Sequence, residues 1–96
     1  MNRRTRFRLR LYVAGDTQNS ARAIANLDAI CRVHLPERHD IEVVDVIREP
    51  ARALADGVLM TPMLVKVAPA PMRRIVGTLS QTQTVLEVLG LEATLT

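Results

Sequence analysis

Three prolines within ten residues, Pro62, Pro69 and Pro71, constrain this chain more than any other feature. They sit in and beside Leu64-Val-Lys-Val-Ala-Pro-Ala-Pro-Met-Arg-Arg-Ile-Val-Gly77, where two short apolar runs flank the Pro-Ala-Pro corner. Proline fixes φ, lacks an N–H and biases the preceding residue away from the helix. The stretch therefore reads as strand, proline corner, strand, with Gly77 as the stop. Each X–Pro bond has cis and trans forms that exchange slowly. Such a segment either locks one fold or serves as a hinge between two.

The rest of the chain reads outward from that segment. Phe7, Leu9, Leu11 and Val13 alternate with Arg6, Arg8, Arg10 and Tyr12. Period two makes this a strand with one apolar face and one arginine-tyrosine face. Ala14-Gly15-Asp16-Thr17 breaks it, and Asn19 or Ser20 is placed to cap a helix. From Ser20 to about His34, Ala23, Ile24, Leu27, Ile30 and Cys31 define one helical face. Asp28 and Arg32 lie four apart and can pair. Ile41 to Ile47 is a second strand, apolar on both faces and so expected to be interior or doubly covered.

Glu49-Pro50 opens a short helix, with Ala51, Leu54 and Ala55 toward the core and Gly57 at its end. Met63–Val67 and Met72–Val76 form an antiparallel pair around the prolines. Ser80 is expected to cap a last helix carrying Val85, Leu86 and Leu89. The order is βαβ-αββα, a thioredoxin-like α/β arrangement whose first strands are parallel. Ninety-six residues suit one domain spanning 1–96.

Composition narrows the chemistry. Phe7 and Tyr12 are the only aromatics, so the core is aliphatic and the stacking set of single-strand nucleic-acid binders is missing. The net charge is +3, and Lys66 is the only lysine. Five arginines fall in the first ten residues. Such an arm can contact nucleic acid or anionic lipid, but its ordinary role is a solvated strand start. No apolar run approaches a membrane span or a signal peptide, which points to the cytoplasm.

Catalytic groups are sparse. A thioredoxin-like oxidoreductase needs a thiolate at the first helix N-terminus, where this chain has Gly15-Asp-Thr-Gln-Asn-Ser20. Cys31, the only cysteine, lies far along that helix on its apolar face and reads as core packing. His34 and His39 lack metal-ligand spacing. Asp45 reads as the polar end of a strand, with a buried acid as the alternative. Ser20 has no evident histidine partner. The chain is read as non-enzymatic, with no cofactor and no metal.

The residues resemble those of the KaiB clock proteins. Leu11-Tyr-Val-Ala-Gly-Asp-Thr-Gln-Asn-Ser-Ala-Arg-Ala-Ile24, Val43-Val-Asp-Val46, Thr61-Pro-Met-Leu64, Lys66-Val67 and Met72-Arg-Arg-Ile-Val-Gly-Thr-Leu-Ser80 carry the likeness, in order, from about Arg10 to Leu89. The resemblance implies a regulator that binds a hexameric KaiC-like ATPase and alters signalling, with a KaiA-like protein or a histidine kinase as further partners. It also implies two folds of one sequence. One is thioredoxin-like; the other is a ground state, often tetrameric, with the same N-terminal βαβ and a rearranged C-terminal half. Self-association to a dimer or tetramer is then expected of that state.

By the same resemblance Arg22, Lys66, Arg73 and Arg74 are the partner-binding positions. Tyr12, Pro62, Pro69, Pro71 and Gly77 are structural or fold-switch positions, and Gly77 is expected where a side chain would hinder the turn. Departures exist too. The family often has lysine where Glu42 and Gly57 stand, and Thr78 replaces an acid before the last helix. These changes place the chain among divergent members and leave room for a stress-response or timer role outside circadian timekeeping, while the local βαβ-αββα pattern favours the thioredoxin-like state. The competing classes are a thiol oxidoreductase using Cys31 and an arginine-rich nucleic-acid binder using residues 3 to 10.

Overall fold

Strand β1 (Phe7–Val13) has both of its faces covered in the computed structural model, which describes residues 5–91. Phe7, Leu9, Leu11 and Val13 pack with Ala23, Leu27, Ile30 and Cys31 of α1 (Gln18–His34) and with Val85, Leu86 and Leu89 of α3 (Thr82–Leu89). Tyr12, on the opposite face, packs with Val44, Ala53, Met63 and Val65. The arginine-tyrosine face is therefore apolar at its tyrosine end, because α2 (Pro50–Ala55) lies on it. Each large aliphatic side chain buried in these clusters stabilises the fold by about 1.5–3 kcal/mol. Arg3 and Arg4 of the basic arm lie outside the described residues.

The sheet has four strands in the order β2-β1-β3-β4, with β2 (His39–Asp45), β3 (Met63–Ala68) and β4 (Arg73–Val76) around the central pair. β1 and β2 are parallel; β1/β3 and β3/β4 are antiparallel. The thioredoxin-like order is thus present, with α1 and α3 on one face and α2 on the other. The strand-corner-strand reading of the proline segment holds: Lys66 faces Arg73 and Met63 faces Val76 across the hairpin. Thr61–Pro62, Ala68–Pro69 and Ala70–Pro71 are all cis. Pro62 is buried, Pro69 half-buried and Pro71 exposed.

Several local expectations are corrected. β2 is an edge strand, not an interior one. Val44 is buried in the Tyr12 cluster, but Val43 stays 45% exposed because only the margin of α1 overhangs this edge. Thr17, rather than Asn19 or Ser20, caps α1 by accepting from the Ser20 N–H at 3.1 Å. Ser20 is already inside the helix and buried, and its Oγ accepts from the Ala14 N–H. Ser80 does not cap α3; Gln81 holds that position without a side-chain bond.

Helix α2 also turns differently. It buries Ala53, whereas Ala51, Leu54 and Ala55 are exposed. In so short a helix the charged residues choose the face, since Arg52 and Asp56 reach the sheet on either side of Ala53. Gly57 and Gly90 close α2 and α3 in the left-handed region, as their positions suggest. At Gly77 the constraint is backbone, not space: φ is +120°, and a Cβ would meet nothing within 4 Å.

Candidate functional site

Alternation along a strand sends neighbouring side chains to opposite faces. Arg73 and Arg74 therefore separate, although both are exposed on the edge strand β4. Arg73 shares the α1/α3 face with Ile75 and its register partner Lys66. Arg74 projects to the α2 face with Val76, and a Cβ at residue 57 would lie 3.3 Å from its Nη1. Arg22 is exposed on α1, one turn before Asn26, whose amide donates to the Thr78 carbonyl at 2.8 Å. That stripe of α1 borders the connection from β4 to α3.

Lys66 behaves unlike the three arginines. The strand directs it under α3, and only 4% of its surface is exposed. Nζ donates to the Leu89 carbonyl at 3.4 Å, at the C-terminal end of that helix. Burial, reinforced by Arg73, pushes the ammonium's pKa down. Of the four positions expected to bind a partner, Lys66 thus does not display its charge in this fold. The reason is the alternation itself, which aims residues 64 and 66 at the face that α3 covers.

The sequence reading also missed a charge network on the α2 face. Arg10 stands in register with Glu42 and donates to its carboxylate at 3.0 Å. The same guanidinium donates to Asp56 at 2.9 Å. Arg52 holds Glu42 through two bonds of 2.7 and 2.8 Å, and Glu49 lies 3.5 Å from it. The Tyr12 hydroxyl donates to Asp56. Arg52 and Arg10 pull the Glu42 carboxyl down to about 2. Tyr12 and then Arg10 lower Asp56. Burial is the main cause that raises Tyr12. Arg10 and Glu42 were each visible in the sequence, but only sheet register and the placement of α2 bring them together with residues 52 and 56.

Several apolar side chains on and after α2, and one on β4, are exposed. Leu54, Leu59 and Met60 of α2 and the connection after it are 79%, 93% and 64% exposed, and Val76 is half exposed. The available signal was Leu59-Met60, an apolar pair outside any periodic element. A separate open groove of about 480 Å³ runs between α1 and β2, lined by Ile24, Leu27, Ile41 and Val43 among others.

The residues weighed for catalysis have structural partners. Cys31 is fully buried, and burial, aided by Asp28, pushes its thiol up to about 11. It is not a thiolate at neutral pH. Ser20 and Thr17 hydroxyls lie 2.7 Å apart within the helix start. His39 donates Nδ1–H to the Leu35 carbonyl at 2.7 Å. Asp45 is partly exposed at the end of β2, where it accepts from the Ile47 and Gly15 N–H groups, and those bonds keep its carboxyl low. Asp28 and Arg32 pair at 3.0 Å as their spacing suggests. Among the described residues no helix is long and apolar enough to cross a membrane.

Comparison with known proteins agrees with this framework. Residues 10–91 match the KaiB domain. The circadian clock protein KaiB3 of Synechocystis sp. is 42% identical over 84 residues, covering 88% of this chain and 80% of the relative. The circadian clock oscillator protein KaiB of Synechococcus elongatus is 44% identical over 92 residues, covering 96% and 88%. Among solved structures, the N-terminal domain of Synechococcus elongatus SasA superposes with a TM-score of 0.74 at 18% identity, over 96% of this chain and 90% of that one. Mitochondrial thioredoxin 3 of Saccharomyces cerevisiae gives 0.72 at 14% identity, over 93% and 82%. The structural likeness carries the thioredoxin-like fold alone. The sequence likeness carries the family: this chain belongs to the KaiB family.

Proposed function

We propose that this protein is a non-enzymatic clock-type regulator that docks, in its thioredoxin-like fold, on a KaiC-like hexameric ATPase and modulates its cycle and output. The observation that carries the reading is the identity of more than two fifths with circadian clock proteins over most of the chain. The exposed Arg22, Arg73 and Arg74 supply the charge that would steer such docking. Lys66 contributes only if α3 moves off it, since α3 covers its ammonium here.

The test is co-elution with a KaiC-type hexamer and ATP, followed over many hours. A complex that forms with the intact chain and weakens roughly tenfold in an Arg73→Ala/Arg74→Ala variant supports the reading. No complex with the cognate ATPase sinks it. A complex in a cell with no rhythm assigns the chain to stress-response or timer control instead. A KaiA-like protein or a histidine kinase would join as a third component.

The same reading includes a second, rearranged fold for the C-terminal half, with self-association as its companion. Two packings of one sequence coexist only when they differ by a few kcal/mol. One NMR spectrum decides the point. Two peak sets for residues 50–91 with one set for residues 7–45 support a switch. A single set whose secondary shifts give helix α2 and strands β3 and β4 leaves only the fold described above, and a single set with a different order of elements there means the rearranged fold. A thiol oxidoreductase role would require Cys31 to reduce insulin disulfides, against its burial and raised thiol.

A further inference from the structure

Helix α2 has little apolar burial to hold it. It is six residues long, only Ala53 is buried, and Leu54 points outward. Beneath it lie Tyr12, Val44, Met63 and Val65, an apolar face that would be open to water without this cover. Besides one bond of 3.4 Å from the Tyr12 hydroxyl to the Arg52 carbonyl, what ties the helix to the sheet is charge, delivered through two arms. Arg52 grips Glu42 of β2 bidentately, and Asp56 receives Arg10 and Tyr12 of β1.

We infer that α2 is an ionic latch: the Glu42–Arg52 and Arg10–Asp56 pairs hold it closed over the Tyr12 face, and breaking them opens that face while the rest of the sheet stays folded. Bidentate arginine–carboxylate pairs are strong for their class and fix geometry as well as distance. Glu42 touches both Arg10 and Arg52, so it is the hub that joins the arms. The two arms differ in access to solvent. Glu42 and Arg52 side chains are 49% and 36% exposed, against 26% and 24% for Asp56 and Arg10. Salt therefore reaches the Glu42–Arg52 arm first, since the screening length falls from about 10 Å at 0.1 M to about 3 Å at 1 M.

A local opening of this kind is read by amide hydrogen exchange, which resolves sub-global units. The reporters are the N–H groups of Asp56, Gly57 and Val58, bonded within and just after α2. They are compared with α1 amides in the same full-length chain. Raising salt from about 0.1 to 1 M should speed them roughly two- to fivefold while α1 stays constant. Glu42→Gln and Arg52→Gln should each do the same at low salt, and the double variant should add little to the larger single effect. The inference is overturned if the α2 reporters keep their rates in 1 M salt and in both single variants. It is equally overturned if they accelerate only in step with α1, because the event is then global unfolding. Should a variant fail to fold, the salt series on the unaltered chain still decides. None of these readouts involves a partner, so the outcome is separate from that of the docking proposal.

Discussion

Lys66 and Arg73 face each other across one hairpin, yet one side chain is buried and the other exposed. The difference follows from what lies above them. α3 ends over Lys66, so its ammonium leaves water and gains one long bond to a backbone carbonyl, with no carboxylate partner among the described residues. Burying a charge with so little compensation costs stability. The sign of the pH effect follows from the lowered pKa. The unfolded chain holds this proton more tightly than the native state, so stability rises with pH between the depressed native value and the ordinary 10.5. Lys66→Met keeps an unbranched side chain, one atom shorter, and removes the charge. We expect it to stabilise the protein by about 1 kcal/mol at neutral pH and to abolish the alkaline rise. Urea unfolding at pH 7 and pH 10 measures both. A variant that is less stable at pH 7 would mean that the Leu89 carbonyl more than compensates the ammonium.

Helix α1 shows how far local signals reach. Its apolar face (except Ile24, which is 41% exposed), its Asp28–Arg32 pair and its end near His34 were readable, because each depends on spacing within the helix. The start was misplaced by a few residues because Thr17, Asn19 and Ser20 are all capable caps, and only the chain's path out of β1 selects among them. Thr17 accepts from the Ser20 N–H, so Thr17→Ala should cost about 1 kcal/mol, while Asn19→Ala, at an exposed position without a cap bond, should change stability by less than about 0.5 kcal/mol. Thermal melts of the two variants separate the assignments; equal losses would reject Thr17 as the cap. The same distinction explains α2. Its proline start and glycine end were legible, but its orientation was not, since Arg52 and Asp56 answer to Glu42 and Arg10 on strands distant in sequence. For the candidate site, Arg22, Arg73 and Arg74 emerged exposed, whereas the fate of Lys66 depended on where α3 lay.

Across the whole molecule, carboxylates act as ties between elements. Asp40 meets Arg6 between β2 and the chain before β1. Glu42 and Asp56 join the sheet to α2, and Asp45 receives N–H groups from the turns after β1 and after β2. All four are held below their ordinary pKa, Asp40 mainly by its bond from Arg6 and Glu42 mainly by Arg52. A carboxyl with a depressed native pKa stabilises the fold above its unfolded value, and that contribution is lost as pH falls through the native value. The window here opens near 4.5, the ordinary value for Glu42, and extends to about 2. We expect the urea midpoint to be level between pH 5 and pH 8 and to fall steadily below pH 4.5. General repulsion also grows in acid, because 13 lysines and arginines and 2 histidines then lack opposing charge. The two causes separate in Glu42→Gln, which removes one titrating tie and leaves the basic groups in place. If the ties dominate, this variant starts from a lower midpoint at pH 7 and loses less on acidification than the unaltered chain. If repulsion dominates, both proteins fall in parallel, and the carboxylates would have to be demoted to ordinary surface charges.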